Sequence, residues 1–270
     1  MTEAPTHGEK MPVLFIGHGS PMNIVADNDF TRSLSTLAAE LPAPEAIMVI
    51  SAHWLTNGTL VGCMSEPRTI HDFYGFPREL YEMSYPCPGA PEHARLAREY
   101  LGLEAGTCDE EWGLDHASWS VFHHMYPDAD VPVFELSLDY SFNDWHPKPL
   151  EYHYELAKRL APLRSEGVLI LGSGNLVHNL GLIDFSTDAP VYGWAREADE
   201  TIRSCLVERK HEPLLEVETF GRALELAVPT LDHYLPMIYS IALQEDDEPL
   251  SFTFEGFQNG SISMRCFRIG

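Results

Sequence analysis

Thirteen histidines lie in a chain of 270 residues. Histidine is the commonest metal ligand and the usual acid or base near neutral pH. Three of them share a setting: His18 follows the apolar run Val13–Ile16 and a glycine, His53 ends the run Ala46–Ala52, and His178 stands a few residues beyond Val168–Leu171. In open α/β sheets, ligands collect outside the carboxyl ends of the strands. Three histidines from distant parts of the chain can therefore meet on one edge. Gly, Ser and Asn beside them let the backbone turn sharply there. Such a set suits one divalent transition metal.

Two further histidines have a chemical reading and a plain one. His233 follows Asp232, a plausible N-cap for a helix over 233–243. A helix start disfavours a cationic imidazole and favours the neutral form that a metal needs; the plain reading is a capping or surface histidine. His116 adjoins Asp115, and a carboxylate can set its tautomer for proton transfer; a surface place fits equally well. His123 and His124 are adjacent and cannot both face one site from a helix, so packing or exposure is expected for them.

Other chemistries fit less well. Gly17-His18-Gly19-Ser20-Pro21 is not the GxSxG of a nucleophilic serine. Gly172-Ser173-Gly174 lacks the lysine and further glycines of a phosphate loop. The five cysteines, at 63, 87, 108, 205 and 266, are odd in number and form no CxxC, so neither a disulfide framework nor a cysteine zinc site is expected.

The elements that must position these residues alternate. Short apolar runs at 13–16, 46–52, 60–63, 131–138 and 168–171 read as strands. Helical spacing of apolar residues marks 29–41, 91–103, 117–125, 149–163, 194–210 and 233–243. The stretch 67–91 is rich in Pro, Gly and aromatics and reads as an irregular loop. Its Phe73-Tyr74-Gly75-Phe76-Pro77 segment either walls a planar pocket or packs the core. Segments 250–257 and 261–269 read as a closing antiparallel hairpin turning at Asn259-Gly260. The pattern predicts an α/β fold, one domain over residues 1–270, with a largely parallel central sheet flanked by helices and the metal site at the strand carboxyl ends.

Seventeen basic against 41 acidic residues give a net charge of −24. That charge opposes nucleic acid and anionic membrane surfaces as partners. No apolar run approaches the roughly 20 residues of a membrane span, and Met1–Lys10 is polar without a signal-peptide pattern. The expected setting is cytoplasmic and reducing.

Six segments together carry a resemblance: FIGHGSPMN (15–23), ISAHW (50–54), IHDFYGFP (70–77), GLDHASW (113–119), GSGNLVHNL (172–180) and DHYLP (232–236). In this combination and order the chain resembles the DODA-type, 4,5-DOPA branch of the class III (LigB-like) extradiol ring-cleavage dioxygenases. The resemblance implies metal ligation by His18, His53 and His233. It implies His178 as an acid/base beside the metal, or a fourth ligand in a resting zinc form, and His116 as a substrate-binding or proton-transfer residue. It also implies a catecholic substrate, O₂ and one divalent metal. Fe(II) with open positions can pass electron density from the diol to O₂; Zn²⁺, which has no redox chemistry, suits the same nitrogen ligands as a bound or resting metal. Protocatechuate-type relatives supply two histidines and a glutamate, whereas the third matching position here is His233. The alternatives are a zinc enzyme of this fold acting hydrolytically and a non-catalytic metal-binding protein.

Overall fold

The computed structural model describes residues 10–141, 146–186 and 188–270. In it the apolar runs become the buried middle of a mixed sheet. The strands are β1 (Val13–Gly17), β2 (Ala46–Thr56), β3 (Val61–Gly62), β4 (Cys108–Asp109), β5 (Val133–Ser141), β6 (His146–Pro147), β7 (Val168–Gly174), β8 (Leu250–Phe254), β9 (Phe257–Gln258), β10 (Ile262–Ser263) and β11 (Cys266–Ile269). The main sheet runs β4-β3-β5-β2-β7-β1-β11-β8, with β6 beside β5. The four strands β5, β2, β7 and β1 are parallel neighbours, so their carboxyl ends lie on one edge.

Parallel strands covered on both faces are apolar almost continuously, as β1 and β7 are. Nine helices flank the sheet among the described residues: α1 (Asp29–Glu40), α2 (Arg78–Glu82), α3 (Pro91–Leu101), α4 (His116–Met125), α5 (Leu150–Lys158), α6 (Gly193–Val207), α7 (His211–Leu215), α8 (Arg222–Ala227) and α9 (Leu235–Ala242). The strand period of two divides the core. Val13, Met48, Ile50 and Ile170 pack in one cluster with Ile202 of α6 and Ile238 of α9. Leu14, Ile47, Val49 and Leu171 pack on the other face with Leu34 of α1 and Phe122 of α4.

Several expectations need correction. The helix expected over 149–163 stops at Lys158, and a 3₁₀ turn follows over Ala161–Glu166 with proline at its start; Pro162 cannot donate to a continuing helix. Asp232 does not cap a helix over 233–243. α9 begins at Leu235, with Pro236 in its first turn, a place that suits proline's fixed φ. The loop 67–91 contains the short α2. The closing hairpin divides: β8 pairs with β11, and β9 pairs with β10 across Asn259 (φ 52) and Gly260 (φ 74).

A disulfide joins Cys63 to Cys108, where none was expected. Parity counting cannot see that β3 and β4 are parallel neighbours, which bring the two Cα atoms to 5.7 Å, a usual spacing for a bridge. No helix among the described residues is long and apolar enough to cross a membrane. Residues 1–9 of the polar N-terminal stretch lie outside the described residues.

Candidate metal centre and pocket

His18 leaves β1 directly after Gly17, its backbone N–H still tied to the Gly174 carbonyl of β7 at 3.1 Å. His53 lies within β2, which runs on to Thr56. The pairing of β2 with β5 shifts register between Ile50 and Leu55, and an irregularity of this kind re-aims a side chain beside a site. His233 sits in the turn that leads into α9, and its carbonyl accepts the Asn175 N–H at 2.9 Å. Three separate carboxyl-edge segments thus bring one ring nitrogen each of His18, His53 and His233 within 4.8 Å of one another.

The hydrogen bonds around these rings decide which nitrogens face inward. His53 Nδ1 lies 2.9 Å from Asp72 Oδ2, and His233 Nδ1 lies 3.1 Å from Asp232 Oδ2. His18 Nδ1 lies 3.1 Å from Ser173 Oγ, whose own proton goes to the Ala117 carbonyl, so Oγ is left as an acceptor. All three Nδ1 atoms therefore donate, and all three Nε2 atoms carry bare lone pairs. Carboxylates behind ligating imidazoles are the usual support of a metal site.

The inward nitrogens fit a metal. His18 Nε2 and His53 Nε2 are 3.3 Å apart, and with both protons on Nδ1 nothing lies between them but two lone pairs. A shared cation removes that repulsion. Two nitrogens each about 2.0–2.1 Å from one metal stand roughly 3.0–3.4 Å apart, which matches.

The local electrostatics agree. Burial, then His53 and His233, holds the His18 imidazole well below its ordinary range. Burial also lowers His233, against the opposing pull of Asp232. For His53 burial is outweighed by the Asp72 hydrogen bond and the Asp115 and Asp72 charges, and its pKa rises; any proton taken up at its Nε2 must leave before a metal binds there. Hydrogen bonds from His116 and His53 overcome burial and hold Asp72 far below the carboxylate range.

His116 stands beside this group. Its ring centroid is 4.2 Å from that of His53, and its Nδ1 lies 2.9 Å from Asp72 Oδ2. It is the first residue of α4, whose N-cap is Asp115. Beneath that turn, Glu135 accepts the Asp115 backbone N–H at 3.0 Å and the Trp112 indole N–H at 3.0 Å. The two buried acids repel. Burial, then Asp72, pushes Asp115 up to about 6, and burial, then Asp115, pushes Glu135 well above its ordinary value. Burial, then His53, brings His116 down to about 4.

His178 does not join the trio of ring nitrogens. Its ring stacks on His233, and its backbone is held by the Ala227 carbonyl at 2.8 Å. A cleft of about 510 Å³ opens here, lined by His53, His178, His233, Asp232, Leu180 and Thr230 among others. In the aromatic loop, buried Phe73 packs edge-on to His116 at 5.5 Å, while Tyr74 is 91% exposed. The loop therefore both packs the core and borders the site. His124 packs within the fold, its Nε2 against the Asn23 carbonyl at 2.7 Å, a packing role as expected.

Asp72 and Asp232 escaped the sequence reading as site residues. Asp72 sits inside the IHDFYGFP segment, next to His71, and that adjacency was the available signal. Asp232 carries the sequence pattern of a helix cap.

Comparisons with known proteins place the chain in a family. Residues 6–226 match the family described as the catalytic LigB subunit of aromatic ring-opening dioxygenase. The chain is 44% identical over 266 residues to 4,5-DOPA dioxygenase extradiol of Escherichia coli (strain K12), covering 97% of this chain and 95% of that protein. It is 32% identical over 260 residues to 4,5-DOPA dioxygenase extradiol of Beta vulgaris, covering 94% of each. The crystal structure of an uncharacterized Escherichia coli K12 protein superposes with a TM-score of 0.81 at 39% identity, covering 97% of this chain and 100% of that one. The chain thus belongs to the LigB family of metal-dependent aromatic ring-opening dioxygenases, and a group of three histidines that could hold a metal ion lies at its sheet edge.

Proposed function

We propose that this chain is a non-haem Fe(II) extradiol dioxygenase that opens a catechol ring with O₂, with His18, His53 and His233 as the metal ligands. The observation that carries this reading is the convergence of one ring nitrogen each of His18, His53 and His233 within 4.8 Å, with an acceptor beside each Nδ1. Bound iron supplies the passage of electron density from diol to O₂, which zinc cannot. An all-nitrogen set also suits Zn²⁺, and protein purified without iron is expected to carry it. The relatives' names make a DOPA-like catechol the first substrate to test.

The chain's own residues have separate tasks. His116, depressed and backed by Asp72, accepts a diol proton at Nε2. His178, on the far side of the His233 ring, handles protons at the cleft wall. Phe73 offers an apolar edge beside His116 for a planar ring. The chain acts as one catalytic domain over residues 1–270. We place it in the cytoplasm on its three free thiols, Cys87, Cys205 and Cys266, with the Cys63–Cys108 bridge as the observation against.

The test is anaerobic reconstitution with Fe(II), followed by O₂ uptake on adding a catechol. Uptake in proportion to bound iron supports the reading. Background uptake by fully iron-loaded protein sinks it. An unreactive protein whose metal accepts no further ligand would instead be a binding protein of the same fold.

A further inference from the structure

One oxygen of Asp72 lies between two histidines with different duties. Oδ2 is 2.9 Å from His53 Nδ1 and 2.9 Å from His116 Nδ1, while Oδ1 accepts the His116 backbone N–H at 2.8 Å. Three donors converge on one carboxylate. An ionised carboxylate only accepts, and each of its oxygens has room for two donors. A ring that presented a bare Nδ1 here would set acceptor against acceptor at hydrogen-bond distance. Both imidazoles must therefore hold their proton on Nδ1.

The loop that carries Asp72 is fixed on both sides. The Ile70 N–H donates to the Leu114 carbonyl at 2.8 Å, tying the loop to the segment that leads into α4. His71 meets the Met83 carbonyl through Nε2 at 2.9 Å. Phe73 is buried against the rings of His116 and Trp119. Asp72 is thus held rigidly enough to dictate ring orientation, the requirement for a positioning group.

We propose that Asp72 is a positioning residue shared by the metal centre and the pocket: its carboxylate fixes His53 and His116 as Nδ1–H tautomers, aiming the His53 Nε2 lone pair at the metal and leaving the His116 Nε2 lone pair to accept a proton from the diol. The part concerning the diol rests on the ring-opening reading above. The part concerning tautomer and metal affinity does not.

The test uses the full chain loaded with zinc and labelled with ¹⁵N at histidine. Imidazole ¹⁵N shifts report which nitrogen of His53 and His116 carries the proton. Chelator competition gives the zinc Kd of the wild type and of Asp72→Asn, and iron-loaded protein gives kcat and KM for a catechol. Both rings are expected as Nδ1–H in the wild type. Asp72→Asn cannot accept from all three donors, because its amide nitrogen donates. It should raise the zinc Kd by about 10- to 100-fold. At saturating iron it should lower kcat by at least about tenfold with little change in KM, the mark of an interaction made in the transition state. His116→Gln should lose kcat while holding zinc as tightly as the wild type. A His116 protonated on Nε2 in the wild type overturns the proposal. So does an Asp72→Asn protein with Kd and kcat within about twofold of wild type, since a purely structural role would change thermal stability alone. If Asp72→Asn does not fold, the wild-type tautomers decide. If no catechol is consumed by the iron-loaded wild type, the ring-opening reading fails, and the tautomers and zinc Kd still uphold or overturn positioning by Asp72.

Discussion

The His178 imidazole lies flat against that of His233, with ring centroids 3.5 Å apart and planes 11° from parallel. Stacking puts His178 beside the His233 ring, and its nitrogens fall outside the trio formed by His18, His53 and His233. Burial, then His233, pushes its imidazole down to about 2. It is therefore neutral at working pH, with one proton to give and one lone pair to accept. His178→Ala is expected to retain most of the metal and to lose turnover by about 10²- to 10⁴-fold, the usual worth of a positioned acid or base. Metal content by elemental analysis and kcat on the same preparation separate the two effects. Metal loss as deep as that of His18→Ala would make His178 a fourth ligand.

Asp232 stands to His233 as Asp72 stands to His53. Its Oδ2 is 3.1 Å from His233 Nδ1, and its Oδ1 accepts the Thr230 hydroxyl at 2.5 Å. Against burial, the His233 charge and hydrogen bond hold its carboxyl far below the usual range. Asp232→Asn should therefore keep the fold and weaken metal binding by about 10- to 100-fold. His18→Ala and His53→Ala, which remove ligand nitrogens themselves, should abolish metal retention through gel filtration. An Asp232→Asn protein that holds metal as the wild type does would remove the support role, and one as empty as His18→Ala would make the distinction between ligand and support meaningless.

How much of this site was legible follows from what leaves a mark in a linear pattern. His18 and His53 could be placed because each stands at or inside an apolar run, and such runs became β1 and β2. His233 was not visible that way. It sits in a turn before α9 rather than at a strand end, and the family resemblance supplied its place. Asp72 left no periodic mark, because its bond to His116 spans 44 residues, from a loop to the first turn of α4. Asp232 carried a stronger local reading, that of a helix cap, which Pro236 overrode by setting where α9 begins. The Cys63–Cys108 bridge was hidden for a related reason: β3 and β4 are two residues each, too short to leave a pattern, and the bridged cysteines lie 45 residues apart in the chain. Local patterns reported the parallel core well, and pairings between loops poorly.

His153 provides a pH dependence away from the metal. It is fully buried on α5, with Nδ1 3.0 Å from the Tyr239 hydroxyl of α9 and no partner at Nε2 among the described residues. Burial, partly opposed by Asp139, pushes it from an ordinary 6.5 down to about 4. The unfolded chain thus takes up a proton that the folded chain refuses. This contribution to stability is full above pH 6.5 and is lost as pH falls toward 4. Between pH 6.5 and 5 it amounts to about 2 kcal/mol. His153→Gln keeps a polar group near Tyr239 and does not titrate. Urea unfolding across this range should show the wild type losing more stability than His153→Gln by about that amount. Parallel pH curves for the two proteins would refute the assignment.

Gly174 ends β7 with the His233 backbone pressed against its α carbon. A Cβ at this position would lie 2.3 Å from the His233 carbonyl oxygen, and that oxygen is already engaged by the Asn175 N–H. The obstacle is backbone, so no side chain can swing away to relieve it. In register beside it on β1 is Gly17, where a Cβ would lie 2.9 Å from the Arg265 carbonyl oxygen. Neither glycine has a positive φ, so what each supplies is space at the carboxyl edge, not backbone freedom. Gly174→Ala must push the 232–234 segment outward. Overpacking of this kind costs about 1–3 kcal/mol, and because the displaced residue is His233, metal affinity should fall with stability. Gly193→Ala is the control, since nothing lies within 4 Å of a Cβ there; it should leave both unchanged. Unfolding in urea and zinc competition on the three proteins check the pairing. A Gly174→Ala protein that loses stability but binds zinc normally would show that the 232–234 turn relaxes without moving the His233 ring, and that the contact serves packing alone.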